Sequence, residues 1–249
     1  MNTTLIIAAQ ELRRLFKSPL AWIILAVVEF LLAIFFLLLL NQFMSPTPWL
    51  EDRGLTEIVV TGLFQVTGIV LLLVTPFITM RLFSEERRNG TIKLLFSSPV
   101  SITELVLGKY IGTVCFLLIM LFLIALMPLS LLMGSQLDMG QLAAGLFGLF
   151  LLMSSFAAIG LFISTLTSQT SIAAIITFGI LFMLWIINLA ATTGSETFKQ
   201  IFTWLSLLNH YNNLIMGLFN STDLIYYLII ITVFIALSVW RLDGERLYQ

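Results

Sequence analysis

Long, uninterrupted apolar runs dominate the chain, and six of them are long enough to cross a membrane. A membrane-spanning helix needs about 20 apolar residues, because it rises ~1.5 Å per residue through ~30 Å of hydrocarbon. The runs lack the alternation typical of a membrane β-strand, so each predicts an α-helix. The pattern therefore predicts an all-α integral membrane protein with six transmembrane helices, near residues 20–40, 58–80, 110–133, 142–166, 172–191 and 224–240.

One segment strains this six-helix count. Residues 192–223, between the fifth and sixth runs, are moderately apolar but carry Asn209, His210, Asn212 and Asn213. A seventh span here would bury several amides and carry the basic C-terminus to the outer side. The pattern therefore favours a re-entrant or interfacial helix on the outer side of the membrane.

The polar pattern of residues 1–19 predicts a short amphipathic helix ahead of the first run. Apolar side chains recur at helical spacing, whereas Arg13, Arg14 and Lys17 lie on the opposite face. Pro19 then breaks or redirects the chain. We expect this helix to lie flat at the cytoplasmic membrane surface. The same basic residues also serve to set the topology, and the two interpretations are compatible.

Composition agrees with a membrane protein and excludes several functions. Hydrophobic residues make up 59% of the chain and charged residues 10%, against about 45–50% and about 25% in ordinary globular proteins. The net charge of −1 offers no basic surface for nucleic acid. One cysteine and one histidine are too few for a zinc site or an internal disulfide bond. No linker divides the chain, so residues 1–249 are expected to form a single transmembrane domain.

The basic residues predict the orientation in the membrane. If the N-terminus is cytoplasmic, only Arg53 and Lys199 of the 12 basic residues lie on the outer side. Such an asymmetry follows the positive-inside rule. Both termini are therefore expected in the cytoplasm.

Residues 81–109, between the second and third runs, hold 8 of the 25 charged residues (12 basic and 13 acidic). Asn89-Gly90 predicts a turn, and the apolar residues after Thr91 predict a short helix that ends before Pro99. A charged, partly apolar segment on the cytoplasmic side favours an organised docking element over a solvated loop that only enforces topology. The candidate docking residues are Glu85, Glu86, Arg87, Arg88, Gly90, Thr91, Leu94, Leu95 and Pro99.

Four polar residues within or beside the apolar runs are candidates for a translocation path. Glu29 lies near the middle of the first run, where a charge costs roughly 3 kcal/mol. Three interpretations of Glu29 stay open: it lines a translocation path, it forms a hydrogen bond across a dimer, or it faces the bundle in a structural role. Gln65 and Asn188 favour hydrogen bonds between helices over substrate contacts. For His210 a positioning role is favoured over metal binding.

The cytoplasmic segment shows an ordered series of short motifs. They are Thr79-Met80-Arg81, Glu85-Glu86, Gly90-Thr91, Leu94-Leu95, Pro99-Val100-Ser101 and Gly108-Lys109. This order resembles the signature of ABC type-2 permeases, the membrane subunits of ABC exporters. Lys93 departs from the glutamate often found after Gly-Thr-Ile in that family.

The resemblance extends over nearly the whole chain. Residues 1–19 resemble the family's interfacial elbow helix, and residues 81–109 its coupling segment, the name used for them below. Residues 205–228 are similar to the outer re-entrant segment of the gliding-motility and nitrous-oxide-reductase-maturation permeases. A histidine, a glycine and an aspartate that recur in those relatives are matched by His210, Gly217 and Asp223.

The resemblance implies the partners and the location. It implies a dimer with a second copy of the chain or a related permease, clamped by two cytoplasmic ABC ATPases in the bacterial inner membrane. ATP and Mg would be bound by the ATPases, and no cofactor is expected on this chain, which has no Walker A pattern. Membrane lipid and an accessory membrane or periplasmic protein are further candidate partners.

The leading functional hypothesis is an export permease driven by a separate ATPase. Closure of the ATPases would move the coupling segment as a lever, and the spans on either side would transmit the motion. Small residues of the fourth span would permit either sliding or ordinary close packing: Ala144, Gly148, Ala157 and Gly160. The alternative is an ABC-like scaffold that transmits conformational change to partner proteins. An intramembrane enzyme has little support, because nucleophile–base pairs and metal-binding motifs are absent from the sequence.

Overall fold

The computed structural model describes residues 3–44, 54–92, 95, 100–134, 137–190 and 204–247. These residues form helices and no strand. The short elements are a π-helical turn (Thr56–Val60) and a 3-10 turn (Leu131–Met133). The α-helices are α1 (Thr3–Lys17), α2 (Pro19–Met44), α3 (Thr61–Thr79), α4 (Ser84–Arg88), α5 (Ile102–Ser130), α6 (Met139–Leu166), α7 (Thr170–Ala190), α8 (Leu207–Ile215) and α9 (Ser221–Leu247).

Six of the helical segments in the described ranges are long and apolar enough to cross a membrane, which confirms the prediction of an all-α membrane protein. They correspond to α2, the stretch from the π-helical turn through α4, α5, α6, α7 and α9. Two helices run past the predicted ends of their apolar runs. α5 begins at Ile102 instead of near residue 110, and α9 continues to Leu247 instead of ending near residue 240. Both helices therefore carry charged turns at the end that the sequence places in the cytoplasm.

The described part of the outer segment contains the short helix α8. α8 has nine residues and a length of ~14 Å, too short to cross a membrane. The Ser206 hydroxyl caps its start by accepting from the Asn209 amide at 3.2 Å. Gly217, with φ +80°, ends it in a left-handed conformation that favours glycine. Residues 192–203, the first part of the predicted re-entrant segment, lie outside the described residues.

α6 lies at the centre of the bundle, in contact with α3, α5, α7, α8 and α9. Its glycines permit these helices to approach closely. A Cβ on Gly160 would lie 2.1 Å from the Thr79 Oγ1 of α3, and one on Gly148 would lie 2.8 Å from Leu214 of α8. The predicted close packing of the fourth span is therefore present, and sliding along it stays a prediction.

α1 lies across the N-terminal end of α5. Two α5 glycines make the contact, since a Cβ on Gly108 would lie 2.7 Å from Ile7 and one on Gly112 would lie 2.8 Å from the Ala8 carbonyl oxygen. The buried face of α1 differs from its apolar face, because Leu5 is 56% exposed and Glu11 only 6%. A helix is thus present where the pattern predicts one, and it packs through a carboxylate as well as through apolar side chains. That it lies at the membrane surface stays a prediction.

Candidate docking site on the coupling segment

The coupling segment begins with the short helix α4, which directly follows α3. Leu82, Phe83 and Ser84 are buried at its start, and the Ser84 hydroxyl donates to the Met80 carbonyl. The apolar residues after Thr79 therefore hold α4 against the bundle, and the charged residues of α4 lie at the surface of the bundle. Sequence reasoning did not predict α4, because five residues give too short a pattern.

Arg14 of α1 joins the coupling segment through several contacts. One guanidinium nitrogen lies 3.1 Å from Glu85 Oε2 and also donates to the Arg81 carbonyl at 3.0 Å. The other lies 3.6 Å from Glu86 Oε1 and 3.5 Å from Glu11 Oε2. A single guanidinium therefore joins helix α1 to the coupling segment.

Lys109 of α5 completes this group from the buried side. Its ammonium is 2.6 Å from Glu86 Oε1 and 3.4 Å from Glu11 Oε2, and it donates to the Leu82 carbonyl at 2.7 Å. The side chain is only 4% exposed. The buried ammonium is tolerated because two carboxylates and a carbonyl replace the water molecules that would otherwise solvate it. Below, the inner ion cluster means Glu11, Arg14, Glu85, Glu86 and Lys109.

A second set of charges binds the last helix to the coupling segment. Glu245 of α9 lies between two arginines, with Oε2 2.5 Å from Arg87 and Oε1 3.2 Å from Arg241. The Arg87 and Glu245 side chains are 17% and 21% exposed. We call these three residues the C-terminal clamp. Leu242, one turn earlier, is fully buried in a cluster with Leu82 and Phe83.

The turn after α4 is the exposed part of the coupling segment. Arg88, Gly90 and Thr91 are all exposed, and Gly90 adopts a left-handed φ of +71° that reverses the chain. The Thr91 hydroxyl donates to the Glu86 carbonyl at 3.3 Å, which joins the turn to α4.

Among the remaining predicted docking residues, Leu95 is half-buried. Leu94 and Pro99, also predicted docking residues, lie outside the described residues.

A cleft of about 310 Å³ opens beside the inner ion cluster. Helix α1 forms one wall, and α5 with the end of α9 forms another. Its lining mixes charged with apolar side chains and includes Gln10, Arg14, Leu95, Val100, Lys109 and Arg246. Arg13 and Lys17, the other basic residues of α1, are exposed away from these contacts.

The candidate path residues lie in different surroundings. Glu29 of α2 is half-buried, and its Oε1 is buried without a hydrogen-bond partner among the described residues. Gln65 is exposed on α3 and lines a cavity of about 510 Å³ together with Gln42, Glu57 and Gln141. Asn188 lies in α7, and the structure describes its backbone only.

His210 of α8 is held by two protein acceptors. Its Nδ1 lies 2.5 Å from Asp223 Oδ1, and its Nε2 lies 2.9 Å from the Trp204 carbonyl oxygen. The ring of Tyr226 stacks on the imidazole with centroids 4.1 Å apart. His210 and Asp223 are 4% and 2% exposed. Both ring nitrogens thus have protein partners, an arrangement that fits a positioning role for His210. We call His210, Asp223 and Tyr226 the outer cluster.

Several residues of these sites were missing from the sequence-based candidates. Glu11 follows Ala8 at helical spacing, but its burial depends on Lys109, which is 98 residues away. Glu245 is 158 residues from Arg87. No signal within α1 or α9 alone points to these pairs, because each pair depends on how distant helices meet.

Comparison with known proteins shows the family of the chain. A search of curated proteins finds no match. The family model of the ABC-2 family transporter proteins matches residues 5–247 of the chain. A match of this extent covers all six candidate spans together with the inner ion cluster and the C-terminal clamp. The protein therefore belongs to the ABC-2 family of transporter membrane proteins.

Proposed function

We propose that the chain is the permease subunit of an ATP-driven exporter, and that a separate cytoplasmic ABC ATPase docks on its coupling segment. Membrane subunits of the ABC-2 family are not themselves catalytic domains and generally work with such an ATPase. The observation that carries the proposal is the exposed turn at residues 88–91, held between the inner ion cluster and the C-terminal clamp.

The contacts of the two glutamates support a division of labour within the coupling segment. Glu86 is 17% exposed and bound to Lys109 and Arg14, and Glu85 is 34% exposed and bound to Arg14. These pairs brace the segment against α1 and α5. The exposed Arg88 and the turn that follows it then meet the ATPase. Glu85, at the edge, contributes to both surfaces.

A braced coupling segment would transmit force because its parts move together. When the ATPase subunits close on ATP and Mg, which bind to them and not to this chain, the exposed turn is displaced. Since α4 is continuous with α3 through buried residues and is bound to α5 by Lys109, both spans move with it. The close contact of Gly160 with Thr79 carries the motion from α3 to α6.

The remaining parts of the proposal concern assembly and path. The permease pairs with a second copy or a related permease in the bacterial inner membrane, with both termini in the cytoplasm, and an accessory membrane or periplasmic protein is a further partner. The excess of basic residues on one side supports this orientation. Glu29 and Gln65 are the candidate residues of the path, and His210 positions helix α8.

Co-purification of the ATPase with tagged permease tests the docking claim. Arg88→Glu reverses an exposed charge in the turn, and Arg13→Glu reverses an exposed charge on α1 that lies outside it. We expect Arg88→Glu to lower the recovery of ATPase severalfold and Arg13→Glu to leave it unchanged. Equal recovery with both variants would show that the ATPase does not dock on this turn. ATP hydrolysis stimulated by a solute supports export, whereas hydrolysis stimulated only by a partner protein supports a scaffold.

A further inference from the structure

Helix α9 connects the C-terminal clamp with the outer cluster. At its cytoplasmic end Glu245 Oε2 lies 2.5 Å from Arg87 of the coupling segment. At its outer end Asp223 Oδ1 lies 2.5 Å from His210 of α8. The two carboxylates are separated along the helix by ~33 Å, which is close to the ~30 Å thickness of the hydrocarbon region. One helix thus reaches from the coupling segment to the outer helix.

The sequence of α9 is suited to carry a displacement over that distance. It contains no proline, and its one glycine, Gly244, lies at the cytoplasmic end. By contrast α3 contains Pro76 and α5 contains Pro128. Proline removes a helical hydrogen bond and creates a point where a helix bends. Of these three helices, α9 therefore has the least interrupted hydrogen-bond ladder between the two faces.

Each end of α9 is fixed by packing as well as by charge. At the cytoplasmic end the fully buried Leu242 packs beside Leu82 and Phe83, which precede α4. At the outer end the Tyr226 ring stacks on His210, and the Tyr227 hydroxyl donates to the Leu207 carbonyl at 3.0 Å. A shift of the coupling segment must therefore either pull α9 with it or break the Arg87–Glu245 pair and uncover Leu242.

We propose that α9 is the strut that transmits movement of the coupling segment to the outer helix α8, with Arg87 and Glu245 as the positioning residues of the input end and Asp223 and His210 as those of the output end. This inference rests on the proposed function, because it takes the ATPase as the source of the movement. It adds a direct route to the one through α3 and α5, and it gives the C-terminal turn of α9 a role in coupling.

A thiol-accessibility experiment on the permease–ATPase complex in nanodiscs tests the strut. Cys115→Ser removes the single native cysteine, and Leu218→Cys places a thiol at a 61% exposed position between α8 and α9. The rate of maleimide labelling is measured with and without Mg-ATP and vanadate. The matched variants are Glu245→Gln in the clamp and Asp243→Asn, an exposed carboxylate on the same turn.

The parent protein carries Cys115→Ser and Leu218→Cys. We expect ATP to change its labelling rate and that of the Asp243→Asn variant equally. In the Glu245→Gln variant the ATP-dependent change should be smaller by about fivefold or more, while the ATPase remains bound. The charge swap that combines Arg87→Glu with Glu245→Arg should restore part of the change, which mere loss of folding would not allow. If the ATP-dependent change in labelling rate is equal in the Glu245→Gln and Asp243→Asn variants, the strut is overturned and the proposed function is not affected. Failure of the parent to retain ATPase would overturn the proposed function and the strut with it.

Discussion

The ammonium of Lys109 lies 2.6 Å from a carboxylate oxygen of Glu86, at the point where α5 passes the coupling segment. Lys109 is buried and Glu86 partly buried, and Lys109 also faces Glu11 of α1. One cation therefore links three helices that are far apart in the sequence. Each charged group replaces water molecules that its partners lose on burial. The loss of stability on removing one charge therefore depends strongly on which group is removed.

Lys109→Met is predicted to destabilise the protein severely. The substitution keeps most of the side-chain volume but leaves Glu11 and Glu86 with only the more distant and partly exposed Arg14 as a shared cation, which costs about 3–5 kcal/mol. Thermal unfolding of the purified permease in detergent measures the effect. Lys17→Met, at an exposed position of α1, is the control and should change the melting temperature little. Equal melting temperatures for the two variants would contradict the structural role of the buried pair.

The two adjacent glutamates are predicted to differ in their contribution to stability. Glu85 is 34% exposed and pairs with the partly exposed Arg14, so Glu85→Gln should cost less than about 1 kcal/mol. Glu86→Gln removes a charge-assisted hydrogen bond from the buried Lys109 and should cost about 1.5–3 kcal/mol. Denaturation of both variants under the same conditions gives the comparison. A larger loss for Glu85→Gln would reverse the proposed division between them.

Gly160→Ala is predicted to disturb the centre of the bundle. The added Cβ would lie 2.1 Å from Thr79 Oγ1, so α3 must move away from α6, at a cost of about 1–3 kcal/mol. Gly179→Ala on α7 is the matched control, because a Cβ there meets nothing within 4 Å and alanine is the better helix former. Comparing the melting temperatures of the two variants separates close packing from the general effect of replacing glycine.

Glu29→Leu is predicted to stabilise the protein while impairing transport. The carboxylate lies in a membrane span with a buried oxygen that has no hydrogen-bond partner in the described part of the chain, so its replacement should gain about 1–3 kcal/mol. Residues kept at such a cost commonly serve function. Solute transport in proteoliposomes and thermal stability are measured on the same preparation. Stabilisation with full transport would remove Glu29 from the path.

Asp223→Asn is predicted to loosen the outer helix without affecting the coupling segment. The variant keeps the shape of the side chain but loses the charge that faces His210 at 2.5 Å, so α8 should open locally more often. Hydrogen exchange followed by mass spectrometry should show faster exchange for residues 207–215 and unchanged exchange for residues 84–92. Asn213, which donates to the other Asp223 oxygen at 3.4 Å, gives a weaker variant, Asn213→Ala, for comparison.

The membrane-spanning helices were predictable because the hydrocarbon region favours apolar side chains at every position of a span. Continuous apolar stretches of about 20 residues identify membrane helices without any knowledge of their neighbours. The break at Pro19 and the short outer helix followed from equally local signals, a proline and a group of amides. Helix ends were predicted less well, because α5 and α9 continue into polar sequence where tertiary contacts stabilise the extra turns.

The clusters could not be predicted in the same way. The sequence indicated that charges gather in the coupling segment, but not that Glu86 faces Lys109 or that Arg87 faces Glu245. Such pairs depend on how distant helices meet, and helical spacing within one segment contains no information about that. Glu85 and Glu86 were predicted as docking residues from their position beside the motif, and their contacts inside the chain were visible only in three dimensions.

The packing of α1 on the α5 glycines has a consequence for biogenesis. Glu11 meets Lys109, which the ribosome adds 98 residues later, and Gly108 and Gly112 form the matching surface for Ile7 and Ala8. Chains are made from the N-terminus, so α1 is complete well before its binding surface exists. Helix α1 therefore cannot make these contacts until α5 has been synthesised, so its docking is a late step in the assembly of the bundle.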